Sequence, residues 1–211
     1  MADDDISDAL SVCSDISYLS DYDLDLELES QSVNFDLSNG NPLDKNTFNV
    51  VHYNIDSIMA EGRVEQLIKI CRILPISVLV VTETKLDETI PNNLIMINGF
   101  HEPVRRDRLK NGRNGGGVLM YVADNLIYEQ KVQLQVDHFE HVWVDVKVRE
   151  KVITINALYR PPNQTALDHE LFLDTAQNIL EKLNDYKKAS LKLITGDLNF
   201  GNSYCLSRYI A

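Results

Sequence analysis

Short apolar runs that each end in a polar residue constrain this chain more than any other feature of its sequence. Phe48-Asn49-Val50-Val51-His52-Tyr53 reads as a strand, with Asn54 just beyond it. Between Glu61 and Leu74, the residues Val64, Leu67, Ile68, Cys71 and Leu74 line one stripe of a helix, which Pro75 stops. Ser77-Val78-Leu79-Val80-Val81 is a short, fully apolar strand, and Glu83 follows it. Strand, helix and strand in this order predict a βαβ unit within a mixed or parallel sheet.

The second half is richer in strands. Gly117-Val118-Leu119-Met120-Tyr121-Val122 follows a run of glycines. Val142, Val144, Val146 and Val148 alternate with His141, Trp143, Asp145 and Lys147, which predicts a half-buried strand. Val152 to Ala157 repeats the pattern after a turn, and Tyr159 comes next. Leu171, Phe172, Thr175, Ile179, Leu180 and Leu183 mark the face of a second helix. Leu191-Lys192-Leu193-Ile194 then leads into Gly196-Asp197-Leu198-Asn199.

Asn54, Glu83, Tyr159, Asp197 and Asn199 each stand just after an apolar strand. In sheets with helical crossovers such positions gather along one rim, where ligand crevices form. Taken singly, each also fits a turn residue; the set carries the reading. Two amides, two carboxylates and a phenol, without a Cys or His cluster, form a hard-oxygen set suited to Mg²⁺. Such an ion polarises a phosphoryl oxygen, a carboxylate orients or deprotonates water, and an amide N–H₂ holds a developing oxyanion. Phosphodiester hydrolysis fits this set. Zinc-protease chemistry does not, because His-Glu-x-x-His is absent.

Charge is divided unevenly. The chain carries a net −12, and Met1 to Asp44 holds twelve acids and no Lys or Arg, so the rest is balanced. Leu24, Leu26 and Leu28 imitate a strand, but its other face would stack carboxylates without a cation. Residues 1–45 are therefore expected to be a disordered acidic tail, or an acidic-hydrophobic segment that folds on a protein partner. The turn chemistry at Asn39-Gly40-Asn41-Pro42 marks the boundary, and residues 46–211 form the domain. No apolar run resembles a secretory leader or a membrane span. Cys13, Cys71 and Cys205 are too scattered for a zinc cluster or a disulfide framework. An intracellular, soluble setting, cytoplasmic or nuclear, without a membrane partner, is expected.

Arg105, Arg106, Arg108, Lys110 and Arg113 surround Asp107 alone, with Gly112 and Gly115-Gly116-Gly117 adjoining. Such a loop is either simply solvated or a contact for the phosphates of DNA; next to phosphodiesterase chemistry the latter is expected. It is not a phosphate-binding P-loop, since Gly-x-x-x-x-Gly-Lys-[Ser/Thr] is absent.

Five blocks, Asn54-Ile55-Asp56-Ser57, Thr82-Glu83-Thr84-Lys85, Phe139-Glu140-His141-Val142-Trp143, Leu158-Tyr159-Arg160-Pro161-Pro162 and Gly196-Asp197-Leu198-Asn199, run in order along the chain. In order and interval they resemble the endonuclease/exonuclease/phosphatase family, from about Asn46 to about Cys205. The Arg-Arg-Asp-Arg…Gly-Gly-Gly and Leu-Tyr-Arg-Pro-Pro stretches are most similar to the endonuclease domain of LINE-type (non-LTR) retrotransposons, which nicks chromosomal DNA to prime reverse transcription.

The resemblance implies an α/β (α+β) fold, a four-layer α/β/β/α sandwich of two packed mixed sheets. It implies Mg²⁺, with Mn²⁺ as a substitute, held principally by Glu83 with Asn54 as an oxygen donor and Asp56 in a supporting or metal role. It implies that Tyr159 supports the scissile phosphate or leaving group, Asp197 positions or activates water, and Asn199 steadies the phosphate. Glu140 reads as structural. The family pattern closes with an Asp-His pair that nothing after Asn199 supplies, so the domain is expected to be truncated. A bare sheet edge, poor stability and impaired activity would follow. Asp137-His138 and Asp168-His169 precede the Gly-Asp-Leu-Asn block and read as turn and helix-start residues; His52, His101 and His141 carry less. Two other readings stand beside DNA nicking: another phosphoesterase of the same fold, or a non-catalytic fragment with an acidic interaction tail.

Overall fold

Strands rich in β-branched residues on both faces need cover on both sides. In this computed structural model, residues 10–13, 48–108, 115–136, 139–162, 165–186, 189, 191–199 and 208–210 are described. They form β1 (Leu10–Cys13), β2 (Phe48–Asn54), α1 (Arg63–Ile73), β3 (Val78–Thr82), β4 (Val104–Arg106) and β5 (Val118–Val122). After these come β6 (Ile127–Gln130), β7 (Glu140–Val148), β8 (Lys151–Tyr159), α2 (Ala166–Asp185), β9 (Leu191–Asp197) and β10 (Arg208–Ile210). Single 3₁₀ turns occupy Asn92–Leu94 and Val132–Leu134.

Two mixed sheets result, ordered β1-β2-β3-β5-β4 and β10-β9-β8-β7-β6. The expected βαβ unit is present: β2 and β3 pair in parallel, Val50 opposite Val78 and Asn54 opposite Thr82. In the second sheet β8 and β9 are parallel, so Tyr159 stands opposite Asp197. Between the sheets, Val50, Val78, Val80, Val118 and Met120 meet Val142, Val144, Ile153, Ile155 and Leu193 in one buried core. The other face of the first sheet, with Val51, Tyr53, Leu79 and Tyr121, buries Leu67 and Ile70 of α1. The other face of the second sheet buries Ile179 and Leu183 of α2 against Trp143. The order of layers is helix, sheet, sheet, helix, as the resemblance implied.

Several details differ from the sequence reading. Strand β7 is buried from Glu140 to Val146 rather than half-buried, because α2 and the turn at Val132–Leu134 cover the face bearing Trp143. Arg105 and Arg106 lie on the edge strand β4, antiparallel to β5, not in a loop. On α2, Phe172, Thr175, Ile179 and Leu183 are buried, but Leu171 and Leu180 remain exposed on either flank of that face. The edge beside β9 carries β10, with Tyr209 opposite Leu193. Of the expected acidic tail, Leu10–Cys13 pairs in parallel with β2; the rest, including the turn at 39–42, lies outside the described residues, as do Asp137 and His138. No helix among the described residues is long and apolar enough to cross a membrane. Cys71 is free, and burial pushes its thiol up to about 12.

The covered polar face of β7 has a measurable consequence. His141 is fully buried, with the Val136 amide nitrogen 2.9 Å from Nε2 and the Trp143 indole nitrogen 3.0 Å from Nδ1. Burial, helped by the charges of Arg106 and Lys182, pushes the imidazole down to about 4. The unfolded chain therefore takes up a proton at this residue between pH 6.5 and 4 that the folded chain does not. That stability is fully present above pH 6.5 and is lost as pH falls toward 4, on the order of 3 kcal/mol. Urea titrations across this window should show the loss, and His141→Gln should flatten it.

Candidate active site

The rim at the C-terminal ends of β2, β3, β8 and β9 is built by backbone pairing that outlasts the strands. Beyond Asn54, the amides of Ile55, Ser57 and Ile58 donate to the carbonyls of Thr82, Glu83 and Thr84 at 3.1, 2.8 and 3.0 Å. The two exit loops are thereby zipped together. Asp56, Glu83 and Asn199 all hold positive φ, at 46°, 54° and 43°. This left-handed region is uncommon for residues with a Cβ, and it persists where surroundings over-determine it. On the second sheet, Gly196 has φ 133°, and a Cβ there would overlap the Leu158 carbonyl, so β9 approaches β8 closely only with glycine. Asp197 follows at once.

Four of the sequence-predicted residues meet directly. The Asn54 Nδ2 donates to Asp197 Oδ2 at 2.9 Å and lies 3.4 Å from Glu83 Oε1, although Asn54 and Asp197 are 143 positions apart. The Tyr159 hydroxyl donates to the same Glu83 Oε1 at 3.2 Å. Burial, then the Glu83 charge and hydrogen bond, push the Tyr159 phenol well above its ordinary range, so it stays protonated and acts as a donor. Asn199 adjoins the group: its amide donates to Asp197 Oδ1 at 3.2 Å, and its Nδ2 donates to the Arg160 carbonyl at 2.8 Å. Asp56 stands at the edge. Its amide donates to Asn54 Oδ1 at 3.2 Å, but its exposed carboxylate pairs with Lys85. The Lys85 hydrogen bond and charge hold that carboxyl below the usual range.

Asn54 therefore turns its N–H₂, not its oxygen, toward the two carboxylates. Two like charges brought close favour a donor between them. Among the described residues, no group of three or more His, Cys, Asp and Glu lies together as a cage. A Mg²⁺ ion needs no such cage, since it takes one or two carboxylates and keeps several waters. Glu83 and Asp197 supply the two carboxylates that such an ion takes, with Asn54 and Tyr159 as donors that hold them in place.

Sequence reasoning passed over Arg160. Its Nη1 donates to the carbonyls of Leu198 and Asn199 at 3.2 and 3.0 Å, its Nη2 donates to His169 Nδ1 at 3.0 Å, and the guanidinium lies 5.1 Å over the Phe172 ring. It thus ties the Asp197-to-Asn199 turn to the first turns of α2. The helix starts there with a Thr165–Asp168 capping box, which accounts for Asp168 as a helix-start residue. The only signal was Arg160's place in the Tyr-Arg-Pro-Pro block.

The basic segment divides. Arg105 is absorbed by the fold: Nη1 donates to the Ile90 carbonyl and Asn92 Oδ1 at 2.8 and 2.9 Å, Nη2 donates to the Asp87 carbonyl at 2.9 Å, and Nε pairs with Asp107 at 2.9 Å. Arg106 and Arg108 are half-buried, and the Arg108 amide is tied to the Leu86 carbonyl. Lys110 and Arg113 lie outside the described residues.

The described part of the chain has the endonuclease/exonuclease/phosphatase fold. It is similar to the endonuclease domain of TRAS1, a telomere-specific non-LTR retrotransposon, with TM-score 0.50 and 16% identity over 72% of this chain and 61% of that one. It is similar to the 3′ phosphatase NExo from Neisseria bound to product DNA hairpin, with TM-score 0.52 and 15% identity over 73% of this chain and 58% of that one. It is likewise similar to the AP endonuclease LMAP from Leishmania major, with TM-score 0.54 and 14% identity over 75% of this chain and 58% of that one. The match thus spans less than two thirds of each of these structures. No family model matches the chain, and no curated protein matches it.

Because Arg105 clamps Asp87, Ile90 and Asn92 from a largely buried position, Arg105→Ala should destabilise the domain by roughly 2–4 kcal/mol in urea unfolding. Arg105→Lys should recover little of this, since an ammonium cannot reproduce the guanidinium fork.

Proposed function

We propose that this domain is a Mg²⁺-dependent phosphodiesterase that nicks DNA, of the kind carried by non-LTR retrotransposons. The observation that carries the reading is the Asn54 amide set between Glu83 and Asp197, with the Tyr159 hydroxyl on the same Glu83 oxygen. DNA as the substrate is supported by the names of the fold neighbours, an endonuclease domain and an AP endonuclease among them.

In this reading Glu83 holds the cation, Mg²⁺ or its substitute Mn²⁺, with Asn54 and Asp197 beside it. The bound ion supplies polarisation of a phosphoryl oxygen and neutralises charge on the leaving oxygen. Asp197 orients the attacking water and takes its proton, since hydrogen bonds from Asn54 and Asn199 fix both of its oxygens. Tyr159, kept protonated, turns its single O–H from Glu83 toward the scissile phosphate or leaving group when substrate binds. Asn199 steadies the phosphate. Asp56 holds Lys85 against the Glu83 turn rather than acting as a principal ligand. Arg106 and Arg108, together with Lys110 and Arg113, neutralise backbone phosphates, while Arg105 supports β4, the strand that carries Arg106.

Supercoiled plasmid, incubated with Mg²⁺ or with chelator, tests the reading. Wild-type chain should nick only with the metal, and Glu83→Ala should reduce the rate by on the order of a hundredfold or more. A second reading, a phosphatase-like enzyme, has support in the fold neighbour named a 3′ phosphatase. Turnover of small phosphoesters with no plasmid nicking would establish it, and silence on both would leave a non-catalytic domain. A binding measurement separates the basic residues: Arg106→Glu with Arg108→Glu should weaken duplex binding and lower its salt slope by about 1 per lost phosphate contact. Unchanged binding at low salt would remove them from the interface.

A further inference from the structure

Glu140 has no part in the chemistry above, yet it is 7% exposed and stands at the start of β7, opposite Tyr159. Its Oε2 accepts the Gly117 amide at 2.7 Å. The carbonyls of Gly116 and Gly117 then accept the amides of Lys85 and Thr84, at 2.8 and 3.3 Å. Those two residues directly follow Glu83, whose own φ is 54°, and Lys85 is also at 54°. One continuous set of hydrogen bonds therefore leads from a buried carboxylate, through a glycine backbone, to the left-handed turn that presents Glu83.

The fit is close. A Cβ at Gly116, where φ is 106°, would overlap both Glu140 carboxylate oxygens, and one at Gly115 would stand 3.3 Å from the Tyr159 hydroxyl and 3.7 Å from Glu83 Oε2. The glycine run is therefore the wall of the site beside Glu83 and Tyr159. It also forms the downstream end of the basic segment that starts on β4.

We propose that Glu140 is a positioning residue for Glu83, clamping the Gly116–Gly117 backbone so that the Glu83 turn keeps a fixed place at the rim. It does so by reach: an acceptor at the distance of a Glu side chain is what the Gly117 amide requires. The proposal rests on the reading of Glu83 as the residue that holds the divalent ion.

Two substitutions separate reach from charge. Glu140→Gln keeps the length and an acceptor oxygen but removes the charge, whereas Glu140→Asp keeps the charge and shortens the side chain by a methylene. Mn²⁺ affinity measured by electron paramagnetic resonance, plasmid nicking resolved into kcat and KM, and exchange of the Gly117 amide measured by NMR are the readouts. Glu140→Gln should stay within about twofold of wild type. Glu140→Asp should lose roughly 10- to 100-fold in Mn²⁺ affinity or kcat, as losses of groups that orient a metal-holding residue do, and its Gly117 amide should exchange faster. Glu140→Asp matching wild type, or Glu140→Gln failing as Glu140→Asp does, overturns the proposal. If wild type neither binds Mn²⁺ nor nicks, the proposed function falls by itself and Gly117 exchange decides the clamp. Faster exchange in Glu140→Asp alone then supports it, and equal exchange in all three chains overturns it.

Discussion

Face-to-face packing of the two sheets is the constraint on which everything at the rim depends. Asn54 ends a strand of the first sheet and Asp197 ends one of the second, and their hydrogen bond exists only because the sheets lie face to face. The polar contacts could not impose this packing. A net hydrogen bond is worth about 0.5–1.5 kcal/mol, whereas each fully buried Val, Leu or Ile contributes about 1.5–3 kcal/mol. Val50, Val78, Val80, Val144, Ile153 and Ile155 are all at zero exposure in the inter-sheet core. The apolar layer sets the distance between the sheets, and the polar groups at its edge inherit their geometry from it.

The rim is built from strained pieces held by neutral or charged clamps. Glu83, Asp56 and Asn199 lie in a backbone region that costs on the order of 1–3 kcal/mol for residues with a Cβ. Each is restrained from outside its own turn. Ser57 donates to the Glu83 carbonyl, Arg160 gathers the carbonyls of Leu198 and Asn199, and the glycine run bonds to the residues after Glu83. Strain of this kind keeps side chains pointing where an unstrained turn would not, and it survives because several elements share the load.

Much of this was legible in the pattern of residues, for a local reason. The period-two and helical stripes depend on which side of an element faces the core, so the βαβ unit, the strand at Glu140–Val148 and the helix face at Phe172, Ile179 and Leu183 could be read. The strand-end positions of Asn54, Glu83, Tyr159, Asp197 and Asn199 were legible for the same reason. The short edge strand β4 was not, because its arginines resemble a solvated charge run until Arg105 is seen bonded to Asp87, Ile90 and Asn92. Full burial of β7 was hidden too, since His141, Trp143 and Asp145 look like a solvent face unless another layer covers them.

Local order along the chain thus determined most of the element types and the polar chemistry at the strand ends. Packing alone settled which of those groups touch. Asn54 offers its N–H₂ to Glu83 and Asp197, Asp56 goes to Lys85, and Arg105 belongs to the scaffold while Arg160 and Glu140 brace the rim. The reason is physical. Periodicity encodes the direction of a side chain relative to its own element, but a hydrogen bond between residues 143 positions apart depends on how two sheets are stacked, and no local pattern carries that distance.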